Sequence, residues 1–229
     1  MRLPFATYGA FDLVVSTLVC LGGIAVCAHF ATAEPGRPWL SVPAGVLFAV
    51  WLVLVNFFRD PERTTPQGPF LVVAPADGVV KDIVELPDPG HLGEAADRIG
   101  IFLSPLDVHV NRMPIDGEVV VVDYKRGQML PAFEPRAIEV NESCAVVVSV
   151  LGGRSRMIVR QVTGAVARRI VCPVKPGDRF RAGQRYGMIK FGSRTEVWVP
   201  KSLRVKWTVG LGDRVVAGET ILGTLENAG

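Results

Sequence analysis

In the stretch IKFGSRTEVWVP, from Ile189 to Pro200, two strand-like runs are separated by Phe191-Gly192-Ser193-Arg194. A serine hydroxyl held against the carbonyl carbon of the preceding residue can attack it. A glycine at that preceding position removes steric hindrance and admits unusual dihedrals. The ester so formed can eliminate. The chain then parts between Gly192 and Ser193, and the new chain begins with a pyruvoyl group. That group is an electrophilic ketone, which forms a Schiff base with an amine and draws electrons as pyridoxal phosphate does. Gly-Ser by itself is not specific, because a glycine in a strand pattern equally marks a bulge or a close backbone approach.

Other residues with chemistry to offer lie upstream. Asp77 precedes Gly78 in Pro-Ala-Asp-Gly, a turn pair that recurs as Asp116-Gly117. His109 alternates with Val108 and Val110, so an extended segment turns it away from both valines. Taken alone, that is the pattern of a half-buried histidine. Asp107 falls on the same face and either orients His109 or caps a turn. His29, His91 and His109 are far apart in sequence, and no metal-ligand spacing is visible. The four cysteines, Cys20, Cys27, Cys144 and Cys172, contain no Cys-x-x-Cys pair, which fits buried thiols in a reducing compartment.

The elements that must position these residues are mainly β. After residue 59 the chain is rich in β-branched residues punctuated by Gly, Pro and Asp, and no long stretch has a 3.6-residue apolar period. Strands are expected at Leu71–Val73, Gly78–Val84, Ile99–Leu103, Gly117–Tyr124, Ala145–Leu151, Met157–Val162, Tyr186–Phe191, Glu196–Val199 and Leu203–Val209, and a short loop or turn from Ala132-Phe133. Short strands at close spacing argue a barrel- or sandwich-type β-domain. Two internal echoes support hairpins: VKPGDRFRAG (Val174–Gly183) matches VGLGDRVVAG (Val209–Gly218), and PADGVV (Pro75–Val80) matches PIDGEVV (Pro114–Val120). They resemble the hairpins of lipoyl- and biotinyl-type sandwiches, but no lysine occupies a hairpin tip, so the likeness is architectural.

The first 58 residues are different in kind. Gly9 to Ala33 is apolar with Asp12 as its sole charge, and Trp39 to Phe58 carries none. Each run is about the 20 residues that a bilayer core requires. Glu34-Pro35-Gly36-Arg37-Pro38 between them is turn chemistry. The expectation is a membrane-associated helical hairpin over 1–58 that spans or dips into the bilayer, with a β-rich domain over 59–229. A signal peptide fits less well, because the first run is long and a second follows at once. Arg2 before the hairpin and Arg59 and Arg63 after it put both ends in the cytoplasm. From Leu151 to Lys206 there are 14 Lys/Arg against two acids, Asp178 and Glu196. Beside a membrane anchor such a block suits anionic lipid. No recognition motif supports nucleic acid.

Four segments in order carry a resemblance: FFRDPER (Phe57–Arg63), APADGVV (Ala74–Val80), FLSPLDVHVNRMPIDG (Phe102–Gly117) and KFGSR (Lys190–Arg194). The set resembles the phosphatidylserine decarboxylase family in its short form, over nearly the whole chain. The resemblance implies a self-processing, pyruvoyl-dependent carboxy-lyase that makes phosphatidylethanolamine from phosphatidylserine. Ser193 then matches the serine that becomes the pyruvoyl cofactor, and Gly192 ends the large chain (1–192), leaving a small chain (193–229). Asp77 matches an acid tied to the cleavage machinery, and His109 a histidine implicated in decarboxylation. Longer relatives have a second histidine three positions on, where this chain has Arg112. Arginine cannot act as an ordinary base, so His109 is expected to serve both steps. Arg112, with Asp107, becomes a candidate for binding substrate phosphate or carboxylate. The expected partners are a phospholipid, the inner membrane with the catalytic domain on its cytoplasmic side, the two chains of one precursor and a second copy in a homodimer, with no metal and no nucleic acid. The head group would enter from the bilayer surface. Two alternatives stay open: a related serine phospholipid such as archaetidylserine as substrate, and a non-enzymatic membrane adaptor.

Overall fold

The computed structural model describes residues 4–33, 38–88, 90–131, 134, 136–164, 169–190 and 193–226. The turn expected between the apolar runs (34–37), the one at Ala132-Phe133, and Phe191 and Gly192 lie outside them. The chain divides into two compact units, Met1–Pro61 and Glu62–Gly229.

In the first unit the two apolar runs are helices, α1 (Ala10–Ala33) and α2 (Val42–Phe57). They pack on each other, and Trp51 Nε1 donates to Thr17 Oγ1 at 3.2 Å. Pro43 sits in the first turn of α2, where its missing N–H breaks no helical bond. At the base, Ala6 N–H donates to Phe58 O and Asp60 N–H to Pro4 O. The helices keep apolar side chains outside: Phe11 is 80% and Leu18 69% exposed. A helical span over Thr7–Ala33 is long and apolar enough to cross a membrane. α2 is apolar but shorter.

The second unit is built from strands β1 (Leu71–Val73), β2 (Gly78–Leu86), β3 (Ala96–Leu103), β4 (Val110–Arg112), β5 (Gly117–Lys125), β6 (Ser143–Val150), β7 (Ser155–Thr163), β8 (Arg169–Val171), β9 (Arg179–Phe180), β10 (Arg185–Lys190), β11 (Ser193–Pro200), β12 (Val205–Trp207), β13 (Arg214–Val215) and β14 (Ile221–Leu225). One short helix, α3 (Ala137–Val140), interrupts them. An eight-stranded sheet runs β13-β2-β3-β11-β7-β6-β5-β9, with three-stranded sheets β1-β14-β12 and β4-β10-β8. The expectation of a mainly β, sandwich-like unit after an apolar helical segment holds. Its barrel alternative does not: the described sheets are open, the eight-stranded one ending on the two-residue strands β9 and β13.

The core gathers Ile99, Ile101 and Leu103 of β3, Val197 and Val199 of β11, Val159 of β7 and Val146 and Val148 of β6 against Tyr186, Ile189 and Leu222 from the smaller sheets. Period-two alternation puts each set on one face of the large sheet. Four short strands (β4, β8, β9 and β13) are absent from the sequence reading, because two or three residues give no periodicity, and the five-residue β14 is absent as well.

The echoes fold as a matched pair. β13 pairs with β2 and β9 with β5, so each Gly-Asp-Arg segment lies on its own Asp-Gly strand. Gly212 N–H donates to Val80 O as Gly177 N–H does to Val119 O. Both glycines have φ near +90°, which only glycine adopts freely. Asp213 accepts the Gly210 N–H and Asp178 the Lys175 N–H, each at 2.8 Å. Val73 N–H to Pro114 O and Arg112 N–H to Pro75 O cross-link the halves reciprocally. Because the two aspartates hold equivalent turns, Asp178→Ala and Asp213→Ala should each cost about 1 kcal/mol. The pair should be additive in thermal unfolding, since no partner is shared.

Candidate active site

Ser193 opens β11 rather than interrupting two strands. It pairs with Leu103 on one side and Thr163 on the other, and Arg194 continues the ladder between Phe102 and Val162. The expected strand began only at Glu196, because Ser193 and Arg194 break apolar alternation. They are buried all the same, at 0% and 3% exposure. The Ser193 hydroxyl has no hydrogen-bond partner among the described residues. A buried hydroxyl left so costs about 1–3 kcal/mol, which makes it a reactive-group candidate rather than a structural one.

The His109 segment is tied to the strand that Ser193 opens. Thr195, two residues past Ser193, pairs with Gln161 of β7. Asn111, two residues past His109, donates to Thr195 Oγ1 at 3.2 Å and accepts from Gln161 Nε2 at 2.7 Å. A Cβ on Gly187 would also meet Gln161 Nε2, at 3.1 Å. Gly187 and Thr195 therefore flank one side chain. Gly187 pairs with Asn111, and Ile189 N–H reaches His109 O at 3.3 Å. His109 lies two residues before Asn111, on the segment that leads into β4. It is fully buried, and its Nδ1 lies 2.9 Å from Asp107 O. A carbonyl can only accept, so Nδ1 carries the proton and Nε2 is the basic atom of the neutral ring.

The remaining candidates are placed as follows. Asp107 orients His109 through its main-chain carbonyl, while its carboxylate caps the turn by accepting the Ser104 N–H and meets Arg214 at 2.7 Å. The carboxylate takes the turn-capping reading, and it is the main chain, not the carboxylate, that meets the His109 ring. Arg112, on the opposite face of β4 from Asn111, is buried, and its Nη1 donates to Gly183 O at 2.9 Å. Asp77 accepts the Ala217 N–H at 2.8 Å and meets Arg63 Nη2 at 2.9 Å. Asp116 likewise accepts the Ala182 N–H at 2.7 Å, so turn-holding is common to both halves and the Arg63 pair distinguishes Asp77. Val79 pairs with Phe102 and Phe102 with Arg194, so register sets Asp77 two strands from Ser193. Among the described residues no cluster of His, Cys, Asp or Glu is fit to hold a metal.

The other face of β11 carries what sequence reading missed. Arg194 donates to Glu196 Oε1 through Nε and to Asp82 Oδ1 through Nη2, both at 2.7 Å, while Nη1 lies 2.6 Å from Asp82 Oδ2. Glu196 is fully buried; Trp198 Nε1 donates to it at 3.0 Å, and Arg160 and Arg98 stand at 3.5 and 3.7 Å. Arg194, Glu196 and Trp198 alternate with Ser193, Thr195 and Val197, and that spacing was the available signal. Burial alone would raise the Asp82 pKa, but hydrogen bonding and charge from Arg194, then Arg98, hold it below the usual 3.8. A depressed carboxylate stabilises the fold above its unfolded pKa and loses that contribution as pH falls through the folded value. Wild type should therefore exceed Asp82→Asn in thermal stability near neutrality, with the gap closing below about pH 4. A gap unchanged down to about pH 3 would contradict the assignment.

The profile of the phosphatidylserine decarboxylase family matches residues 51–223. A phosphatidylserine decarboxylase proenzyme of Symbiobacterium thermophilum is 44% identical over 226 residues, 98% of each chain. One of Geobacter metallireducens is 46% identical over 222 residues, 97% of each. One of Carboxydothermus hydrogenoformans is 44% identical over 188 residues, 82% of this chain and 85% of its own. The match takes in the His109 segment and the Ser193 strand together, and the chain belongs to the phosphatidylserine decarboxylase family.

Proposed function

We propose that the chain is a self-processing proenzyme that decarboxylates phosphatidylserine to phosphatidylethanolamine, with Ser193 as the source of a pyruvoyl group. The observation that carries this reading is the buried Ser193 hydroxyl, without a hydrogen-bond partner among the described residues, on a strand tied through Thr195 to the His109 segment. In processing, Ser193 Oγ attacks the Gly192 carbonyl carbon and the peptide bond becomes an ester. Loss of the Ser193 α-proton expels the Gly192 carboxylate, and one water then displaces the residue-193 nitrogen as ammonia. The site suits the group: a small side chain at a dry strand end with no competing partner among the described residues.

The pyruvoyl group supplies an electrophilic ketone that withdraws electrons from the α-carbon of the bound head group. The chain's own residues do the rest. Burial excludes water and favours loss of the charged carboxylate. The Asp107 carbonyl fixes the His109 tautomer, so Nε2 takes a proton from Ser193 during processing and returns one to the substrate carbon after CO2 leaves. Asp77 sets the turn that starts β2 and assists activation. Arg112, which stands where longer relatives have a second histidine, is assigned to holding the Gly183 turn. The apolar helices tether the enzyme to the membrane that holds its substrate, with both ends on the cytoplasmic side.

Intact mass of purified wild type beside Ser193→Ala tests the reading. Wild type should give two chains, 1–192 and a pyruvoyl-blocked 193–229, and the variant one. A folded wild type that stays whole would move the assignment to a membrane adaptor. His109→Ala should slow both processing and decarboxylation by about 10²–10⁴-fold. Normal cleavage in that variant would confine His109 to decarboxylation. Assays with diacyl and isoprenoid-ether serine lipids settle the tails.

A further inference from the structure

The proposal rests on the self-cleavage reading and concerns what happens to β11 afterwards. Processing removes the nitrogen of residue 193, so the strand loses both its covalent link to residue 192 and one ladder donor at its first position. A chain end of this kind frays unless it is tied down. It is also the end that carries the reactive group.

The next residue is tied unusually well. The Arg194 guanidinium reaches from β11 across β3 to Asp82 on β2, which it meets with both terminal nitrogens. Its path runs over Gly100, where an added Cβ would collide with the guanidinium. Gly100 lies in register between Glu196 and Asp82, so the missing side chain opens that path. Nε is meanwhile held by Glu196, which Trp198 and Arg160 hold in turn. Asp82 and Gly100 belong to the large chain, whereas Arg194 and Glu196 belong to the small chain. A planar fork makes this bridge directional in a way that an ammonium cannot.

We propose that Arg194 is a positioning residue, and that its fork on Asp82 across Gly100 holds the leading end of the small chain in the sheet once the 192–193 bond is gone. The clamp acts on the processed enzyme, while the uncut precursor is held by its own backbone.

The test uses Arg194→Lys, which keeps the charge and loses the fork, and Gly100→Ala, which keeps every charge and blocks the path. Each is made in the full-length chain with Ser193 intact and again with Ser193→Ala. Hydrogen exchange at amides 194–196 is the primary readout, with intact mass and steady-state kinetics beside it. In cleaved protein both variants should exchange faster than cleaved wild type, with kcat down about 10- to 100-fold and KM little changed. In the uncut Ser193→Ala background the same substitutions should leave exchange near that of Ser193→Ala alone. Equal exchange in cleaved wild type and cleaved variants would overturn the clamp and leave self-cleavage standing. Equal loosening in both backgrounds would also overturn it, reducing Arg194 to ordinary sheet architecture. A wild type that is never cut would overturn the self-cleavage reading, and the clamp with it.

Discussion

The alternation of β11 is the constraint on which the second unit depends. Successive side chains of one strand must face opposite ways. Here one face begins with Ser193 and Thr195 and continues into the apolar core at Val197 and Val199, while the other carries Arg194, Glu196 and Trp198. Ser193 and the ion network are therefore fixed back to back. Neither can move along the strand without displacing the other, because a one-residue slip exchanges the faces. Breaking a buried ion pair by removing one partner typically costs about 3–5 kcal/mol. Such a network is weak evidence of net stabilisation, but it is a strong determinant of register.

The two halves of the β-unit supply the frame. Each Asp-Gly strand start is locked to a Gly-Asp-Arg hairpin, and the halves exchange main-chain hydrogen bonds through Val73, Pro75, Arg112 and Pro114. This gives β4, and with it the His109 segment, a defined height in the fold. Asp77 and Asp116 do the same turn-holding work, so a requirement for Asp77 in folding is separable from any part it plays in chemistry. Arg63, just beyond the apolar unit, reaches only the Asp77 half and breaks the symmetry.

The apolar helices follow a different logic. Their exposed leucines, valines and phenylalanines would be a liability in water, and their mutual packing leaves most of that surface uncovered. A lipid surround removes the penalty. Under the proposed function, the head group would react without its acyl chains leaving the membrane.

Much of this was written in the sequence. The two apolar runs fix their own helices through composition, and the longer strands, the paired hairpin echoes and the family motifs depend on residues close together in the chain. Ser193 and His109 were visible as candidates for the same reason. What the sequence could not give is the company they keep. The His109 segment meets the Ser193 strand through Asn111, Gln161 and Thr195, which come from three separate strands. Asp82, Gly100 and Arg194 become one device only when β2, β3 and β11 align. Strand pairing is a non-local contact set by register, and no local pattern encodes which distant residue will stand opposite. A buried Arg-x-Glu reads as a solvated strand face until the fold supplies its counter-charges.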